Sequence, residues 1–140
     1  MKSYFLVGVQ FTLIAFLAWY GGVFGDWLSN AVLAVGILLG LWAVVTMHFR
    51  VNILPEVRAG QALMIAGPYR LMRHPMYTAV LLITLAWVQH RTDGVSLIVW
   101  GMLLADLLAK LQYEESALRE KFPEYEAYAK KTKRLIPGVY

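Results

Sequence analysis

Trp27-Leu-Ser-Asn-Ala-Val-Leu-Ala-Val-Gly-Ile-Leu-Leu-Gly-Leu-Trp-Ala-Val-Val-Thr-Met47 decides the fold class. The run carries no ionisable side chain, with Ser29 and Asn30 at its start. It reaches the roughly 20 residues that a helix needs to cross the hydrocarbon core of a bilayer. Ahead of it, Tyr4–Phe24 is a second such run, interrupted only by Gln10, Thr12 and glycines. Lys2 precedes that run, but the run is too long for a signal-peptide core and has no clear small-x-small cleavage site. Composition agrees: 59% of the 140 residues are hydrophobic and 16% charged, against roughly 45–50% and about 25% in soluble domains. A water-soluble globule of this length would leave much of that apolar surface exposed.

Working outward from the first two runs, Met76–Gln89 is apolar but short, and Val95–Leu111 is apolar apart from Asp106 and Lys110. Arg91-Thr92-Asp93-Gly94 between them reads as a tight turn, so the two form a helical hairpin. The short third span begins beside a polar loop, which places its start within protein rather than lipid. The expected architecture is an all-α integral membrane protein with about four transmembrane helices, at 4–24, 27–47, 76–90 and 95–112. A cytoplasmic loop and an amphipathic helical tail over 113–140 complete one membrane-embedded domain spanning 1–140.

Orientation follows from the basic residues. Lys2 precedes the first span, Arg50, Arg58, Arg70 and Arg73 lie between the second and third, and Lys110 and later basic residues follow the fourth. Arg91 alone falls on the other side. The positive-inside rule puts both termini and the long loop in the cytoplasm. The net charge of +4 is therefore topological, which argues against a nucleic-acid partner. The absence of cysteine removes disulfides, thiolate–metal sites and cysteine nucleophiles. No histidine spacing suggests a metal site, and His48 and His90 read as interfacial. Gly36-Ile-Leu-Leu-Gly40 has the spacing for close helix packing, within the chain or in a homodimer.

The remaining polarity gathers in two segments. Gly67-Pro-Tyr-Arg-Leu-Met-Arg-His-Pro-Met-Tyr77 supplies donors: Tyr69, Arg70, Arg73, His74 and Tyr77 suit a carboxylate or phosphate. Pro75 fits the first turn of the third span, where its missing N–H costs little. Lipid headgroups at the arginines and interfacial anchoring by the tyrosines are the plainer explanation, but the whole His-Pro-x-Tyr cluster favours a ligand site. The segment Lys110–Pro137 supplies acceptors. At helical spacing Leu108, Leu111, Leu118 and Phe122 form an apolar stripe, with Glu115 near its middle and Glu114 at its edge. Lys110 is an i, i+4 partner for Glu114 and also for Asp106. No comparable partner is expected one turn from Glu115, which then needs an arginine from elsewhere or a ligand. Pro123 breaks the helix after Phe122, and Glu124–Lys131 reads as a short surface-lying helix, or as a segment whose Arg134 folds back over the site.

GPYRLMRHPMY, then EE-x-x-L-x-x-x-F-x-x-Y-x-x-Y, then K-R-L-I-P resembles the isoprenylcysteine carboxyl methyltransferases and the related phospholipid methyltransferases. The resemblance implies a membrane enzyme using S-adenosyl-L-methionine without a Rossmann domain. It implies a cofactor pocket lined by Tyr69, His74, Pro75, Tyr77, Glu114 and Glu115, with Arg73, His74 and Arg134 as the catalytic set. The donor set agrees: carboxylates accept from ribose hydroxyls, His74 and an arginine hold a carboxylate, and aromatic faces stabilise a sulfonium. The acceptor it implies is a lipophilic small molecule entering from the bilayer, a prenylcysteine-like carboxylate or another lipid-like group. Two other classes compete. A small four-helix transporter would couple through Asp106, the one ionisable candidate deep in a span. A non-catalytic scaffold would use the same motifs for packing among membrane lipids.

Overall fold

Polar residues at the chain's turns fix where the helices start. In the computed structural model, which describes residues 2–48, 60 and 62–140 (side chains from residue 4), α1 runs Lys2–Gly21 and α2 Trp27–Thr46. Asp26 begins α2 by accepting the Ser29 N–H at 2.8 Å, which satisfies one of the amides that every helix leaves unpaired at its start. A 3-10 turn at Gly67–Arg70 precedes α3 at Pro75–His90, where Pro75 occupies the first helical position. Asp93 repeats the cap for α4, Gly94–Lys121, accepting the Ser96 N–H at 2.8 Å. A short α5, Tyr125–Lys131, follows Pro123. Arg50, Arg58 and the start of the Asn52–Tyr77 segment lie outside the described residues.

The all-α fold is as expected, and no strand occurs among the described residues. α1, α2 and α4 are each long and apolar enough to cross a bilayer, whereas α3 has 16 residues. Large apolar side chains such as Phe5, Trp19, Trp27, Leu38, Ile98 and Met102 stay exposed on the outside of the bundle, which is the surface that lipid covers. The chain is an integral membrane protein. α4 continues unbroken past residue 112 to Lys121, joining the expected span to the expected helical stripe over Leu108–Phe122. Its 28 residues measure about 42 Å at 1.5 Å each, well beyond a hydrocarbon core of about 30 Å. The turns carrying Glu114 and Glu115 therefore project from the span as helix.

α2 packs chiefly on α3, and α1 on α4. The Gly36/Gly40 stripe makes the first contact possible. A methyl group at Gly36 would lie 2.9 Å from Ile83 Cγ1 and 3.0 Å from the Ile83 nitrogen, and one at Gly40 3.3 Å from Ala79 Cβ. The stripe is thus occupied within the chain. Leu17, Leu81, Val88, Leu103, Leu107, Leu111 and Leu135 form the core, so the chain after α5 is anchored between the helices. At the far end, Tyr20 donates to Asp93 at 2.8 Å and the Arg91 guanidinium lies 4.2 Å from the Tyr20 ring centre, tying α1 to the α3–α4 turn.

Candidate functional site

Two short chain segments meet at one end of the bundle. The residues leading into α3 lie parallel to the residues after α5, with the Arg73 N–H donating to the Lys133 carbonyl at 2.7 Å and the His74 N–H to the Arg134 carbonyl at 3.0 Å. Thr78 Oγ1 on the first turn of α3 donates to the Leu135 carbonyl at 2.8 Å. This pairing brings two expected motifs, the Arg-His-Pro-x-Tyr run and Arg134, together over the third, the carboxylate pair on α4.

Glu115 is the point on which they converge. Its side chain is fully buried, yet Arg73 Nε donates to Oε1 at 2.7 Å and Arg134 Nε and Nη2 each lie 3.2 Å from Oε2. His74 Nε2 lies 3.4 Å from Oε1. Arg119, one turn along α4, is 3.7 Å from Oε2 and donates to Glu126 at 2.7 Å. That neighbour corrects the expectation that Glu115 has no partner one turn away. Burial alone would raise the Glu115 pKa, but the hydrogen bonds from His74 and Arg73 and the adjacent guanidinium outweigh it and hold the carboxyl at about 2. Arg73 Nη1 also donates to the carbonyls of Ala129, at 2.8 Å, and Thr132, pinning α5 down.

Glu114 faces differently. It lines a cavity of about 280 Å³, which Glu115 does not. Tyr77 donates to Glu114 Oε2 at 2.9 Å, and the Tyr77 ring stacks on His74 at 5.4 Å between centres. His74 Nδ1 lies 3.7 Å from the same Oε2, so the imidazole sits between the two carboxylates. Tyr69, Arg73, His74, Pro75 and Tyr77 line the cavity with Glu114, whereas Arg134 stands behind Glu115 and touches Tyr140. Tyr128 donates to the Tyr69 carbonyl at 2.6 Å, and Tyr69 to Met47 Sδ at 3.0 Å. Burial pushes the Tyr69 and Tyr125 phenols far above their ordinary range and Tyr128 up to about 12, so all three stay protonated donors at neutral pH.

Four polar lining residues fall outside the expected site. Gln10 and Lys110 come from α1 and α4, and Tyr125 and Tyr128 from α5, which folds back rather than lying on the surface. Gln10 had a visible signal, being the one amide in an apolar run. Tyr125 and Tyr128 depend on the fold-back after Pro123, which no local pattern specifies. Asp106 is buried but does not line the cavity.

The sequence profile of the phospholipid methyltransferase family matches residues 24–125, which include both the Arg-His-Pro-x-Tyr run and the Glu114-Glu115 pair. The chain belongs to the phospholipid methyltransferase family. The expected resemblance therefore holds, and membership in this methyltransferase family supports an enzyme. Two curated proteins are similar as well. One, named nickel-cobalt-cadmium resistance protein NccN, from Alcaligenes xylosoxydans xylosoxydans, is 27% identical over 135 residues, 95% of this chain and 62% of its own length. The other, cobalt-zinc-cadmium resistance protein CzcN from Cupriavidus metallidurans, is 29% identical over the same shares. The chain thus spans about 62% of the length of these relatives. No solved structure matches the chain.

Proposed function

We propose that the protein is an S-adenosylmethionine-dependent methyltransferase acting on a lipophilic acceptor that reaches the cavity from the bilayer. The observation that carries this reading is the cavity itself. It joins apolar walls from Phe11, Ile14 and Val80 to an end lined by His74, Tyr77, Glu114 and the α5 tyrosines. Its donor set fits the cofactor. Glu114 is an acceptor for hydroxyl or ammonium groups, His74 and Arg73 are donors for a carboxylate, and the tyrosine faces suit a sulfonium. Tyr125 adds a buried hydroxyl that has no hydrogen-bond partner among the described residues.

When bound, S-adenosylmethionine supplies a methyl group made electrophilic by its sulfonium. The chain's own residues position and shield. Tyr77 holds the Glu114 carboxylate in place by its hydrogen bond and stacks against His74. Arg73 uses Nε and Nη1 on Glu115 and the α5 carbonyls, leaving Nη2 for a ligand. Glu115 and Arg134 act behind the wall, fixing the segment after α5 against the residues that lead into α3. In-line transfer draws its rate mainly from such positioning and charge placement. Arg70, Arg73, Arg119, Lys130, Lys131, Lys133 and Arg134 lie at or near this end and Arg91 at the other, which supports a cytoplasmic site with both termini on that side.

The test is transfer of tritium from methyl-labelled S-adenosylmethionine into organic-extractable lipid by membranes containing the protein. Label above vector membranes, lost in His74→Ala, supports the reading; label equal to vector membranes overturns it. A second reading, a metal-handling membrane protein, draws on the names of the two relatives. Among the described residues no three His, Asp or Glu side chains gather as a cation site. Calorimetric titration with cobalt, nickel, zinc and cadmium salts separates the two readings.

A further inference from the structure

The cavity reaches the lipid-facing surface of the bundle at Phe11. That residue lines the cavity, yet it is 53% exposed. It lies seven positions inside the α1 span that starts at Tyr4, about 10 Å at 1.5 Å each, so it faces hydrocarbon rather than water. Helix packing leaves room there. α1 packs on α4 and α3, and α2 on α3, with no comparable packing of α1 on α2 among the described residues. Phe11 and Ile14 of α1 and Met47, just past α2, thus flank Met76 and Val80 of α3, and all five line the cavity. α3 itself is screened: no residue from Pro75 to Val88 is exposed.

We infer that the methyl acceptor is chosen by its head group and not by its tail, because the tail stays in the bilayer and leaves the cavity between α1 and α2 at Phe11. The inference rests on the methyltransferase reading above and adds to it where the acceptor's selectivity lies. Space decides it. Pockets that enclose one drug-sized ligand measure about 300–1,000 Å³, and this cavity measures about 280 Å³. The cofactor and a reacting head group fill it, so a long tail has no enclosed place. The opening at Phe11 gives it one outside. A tail resting in lipid gains nothing on binding, so added methylenes leave affinity unchanged when the acceptor is counted per mole of lipid. The walls suit such a chain: Met47 and Met76 carry unbranched, flexible thioethers that adapt to differing shapes. With no acceptor present, an acyl chain of the bilayer fills the same opening, since an empty apolar void forfeits its contacts.

The experiment places the protein, saturated with S-adenosylhomocysteine, in nanodiscs of phosphatidylcholine whose twelve-, sixteen- or eighteen-carbon acyl chains end in a diazirine. After illumination the adducts are mapped by mass spectrometry, and the melting temperature is read with and without S-adenosylhomocysteine. Wild type is expected to carry adducts at Met76 and Val80 with all three chains, equal within about twofold, because methylenes left in lipid do not change the occupancy. Phe11→Trp narrows the opening and lowers those adducts severalfold. Phe11→Ala, which carries the test where Phe11→Trp fails to fold, widens it and raises them. Adducts at Phe5 and Trp19, exposed elsewhere on α1, stay the same in both variants, and both keep the shift from S-adenosylhomocysteine. With that shift intact, three results overturn the inference and leave the methyltransferase reading standing: no adduct at Met76 or Val80 in wild type, labelling that is lost between the twelve- and eighteen-carbon chains, or labelling unmoved by the Phe11 variants. No shift from S-adenosylhomocysteine in folded wild type overturns both.

Discussion

Replacing Glu115 by glutamine keeps the shape of a buried side chain and removes the charge around which the site end is built. Arg73 is the partner that decides the cost, because its side chain is only 9% exposed and its bond to Glu115 is 2.7 Å long. Removing one partner of a buried pair costs about 3–5 kcal/mol. The pairs with Arg119 and Arg134 add little, since those side chains are 41% and 29% exposed and such pairs contribute about 0–1 kcal/mol. The glutamine oxygen still accepts one bond, which places the expected loss near about 3 kcal/mol. Glu114→Gln is the internal control: that side chain is 31% exposed with a hydrogen bond from Tyr77, so its loss is about 1 kcal/mol. The assay is equilibrium unfolding in mixed micelles followed by tryptophan fluorescence. Ligand affinity should show the reverse order, with Glu114→Gln weakening S-adenosylhomocysteine more per unit of lost stability. A Glu115→Gln loss no larger than that of Glu114→Gln would refute the account of Glu115 as the anchor.

The same cluster sets an acid limit: Glu115 is held below its ordinary value, so its contribution is complete above about pH 4.5 and lost as pH falls towards about 2. Unfolding midpoints across that window should fall for wild type and fall less for Glu115→Gln. Gly36→Ala should destabilise by about 1–3 kcal/mol, because the added methyl meets the Ile83 backbone nitrogen at 3.0 Å. Gly8→Ala, with open space around it, should be neutral or stabilise by up to about 1 kcal/mol in the same unfolding assay. Arg134→Ala frees the segment after α5 from Glu115, so limited trypsin digestion should cut at Lys131 and Lys133 sooner than in wild type.

The apolar helices were legible because bilayer solubility is written into composition and run length. Expected boundaries at 27–47 and 76–90 fall within a residue of α2 and α3. The length of α4 was legible as well, because Leu108, Leu111, Leu118 and Phe122 keep helical spacing beyond the apolar run and Pro123 follows them. Gln112–Lys121 is rich in strong helix formers and continues the hydrogen-bonding ladder in a polar setting. Of the site, His-Pro-x-Tyr and Glu-Glu stand out as polarity clustered between apolar runs. The different surroundings of Glu114 and Glu115 do not, since neighbours on one helix are separated only by what packs on each. Arg119 was within reach of i, i+4 counting. The lysine and amide at Lys110 and Gln10 lie 100 positions apart, and only the packing of α1 on α4 joins them.

The central claim is that this cavity holds the methyl donor. Its most direct test is the melting temperature of the detergent-purified protein with and without S-adenosylhomocysteine. At 100 times its dissociation constant the ligand adds about 2.7 kcal/mol of stability, enough to read as a clear upward shift. The account predicts that shift in wild type and a weaker one in Glu114→Gln and His74→Ala. A folded wild-type protein whose melting temperature does not move would contradict it.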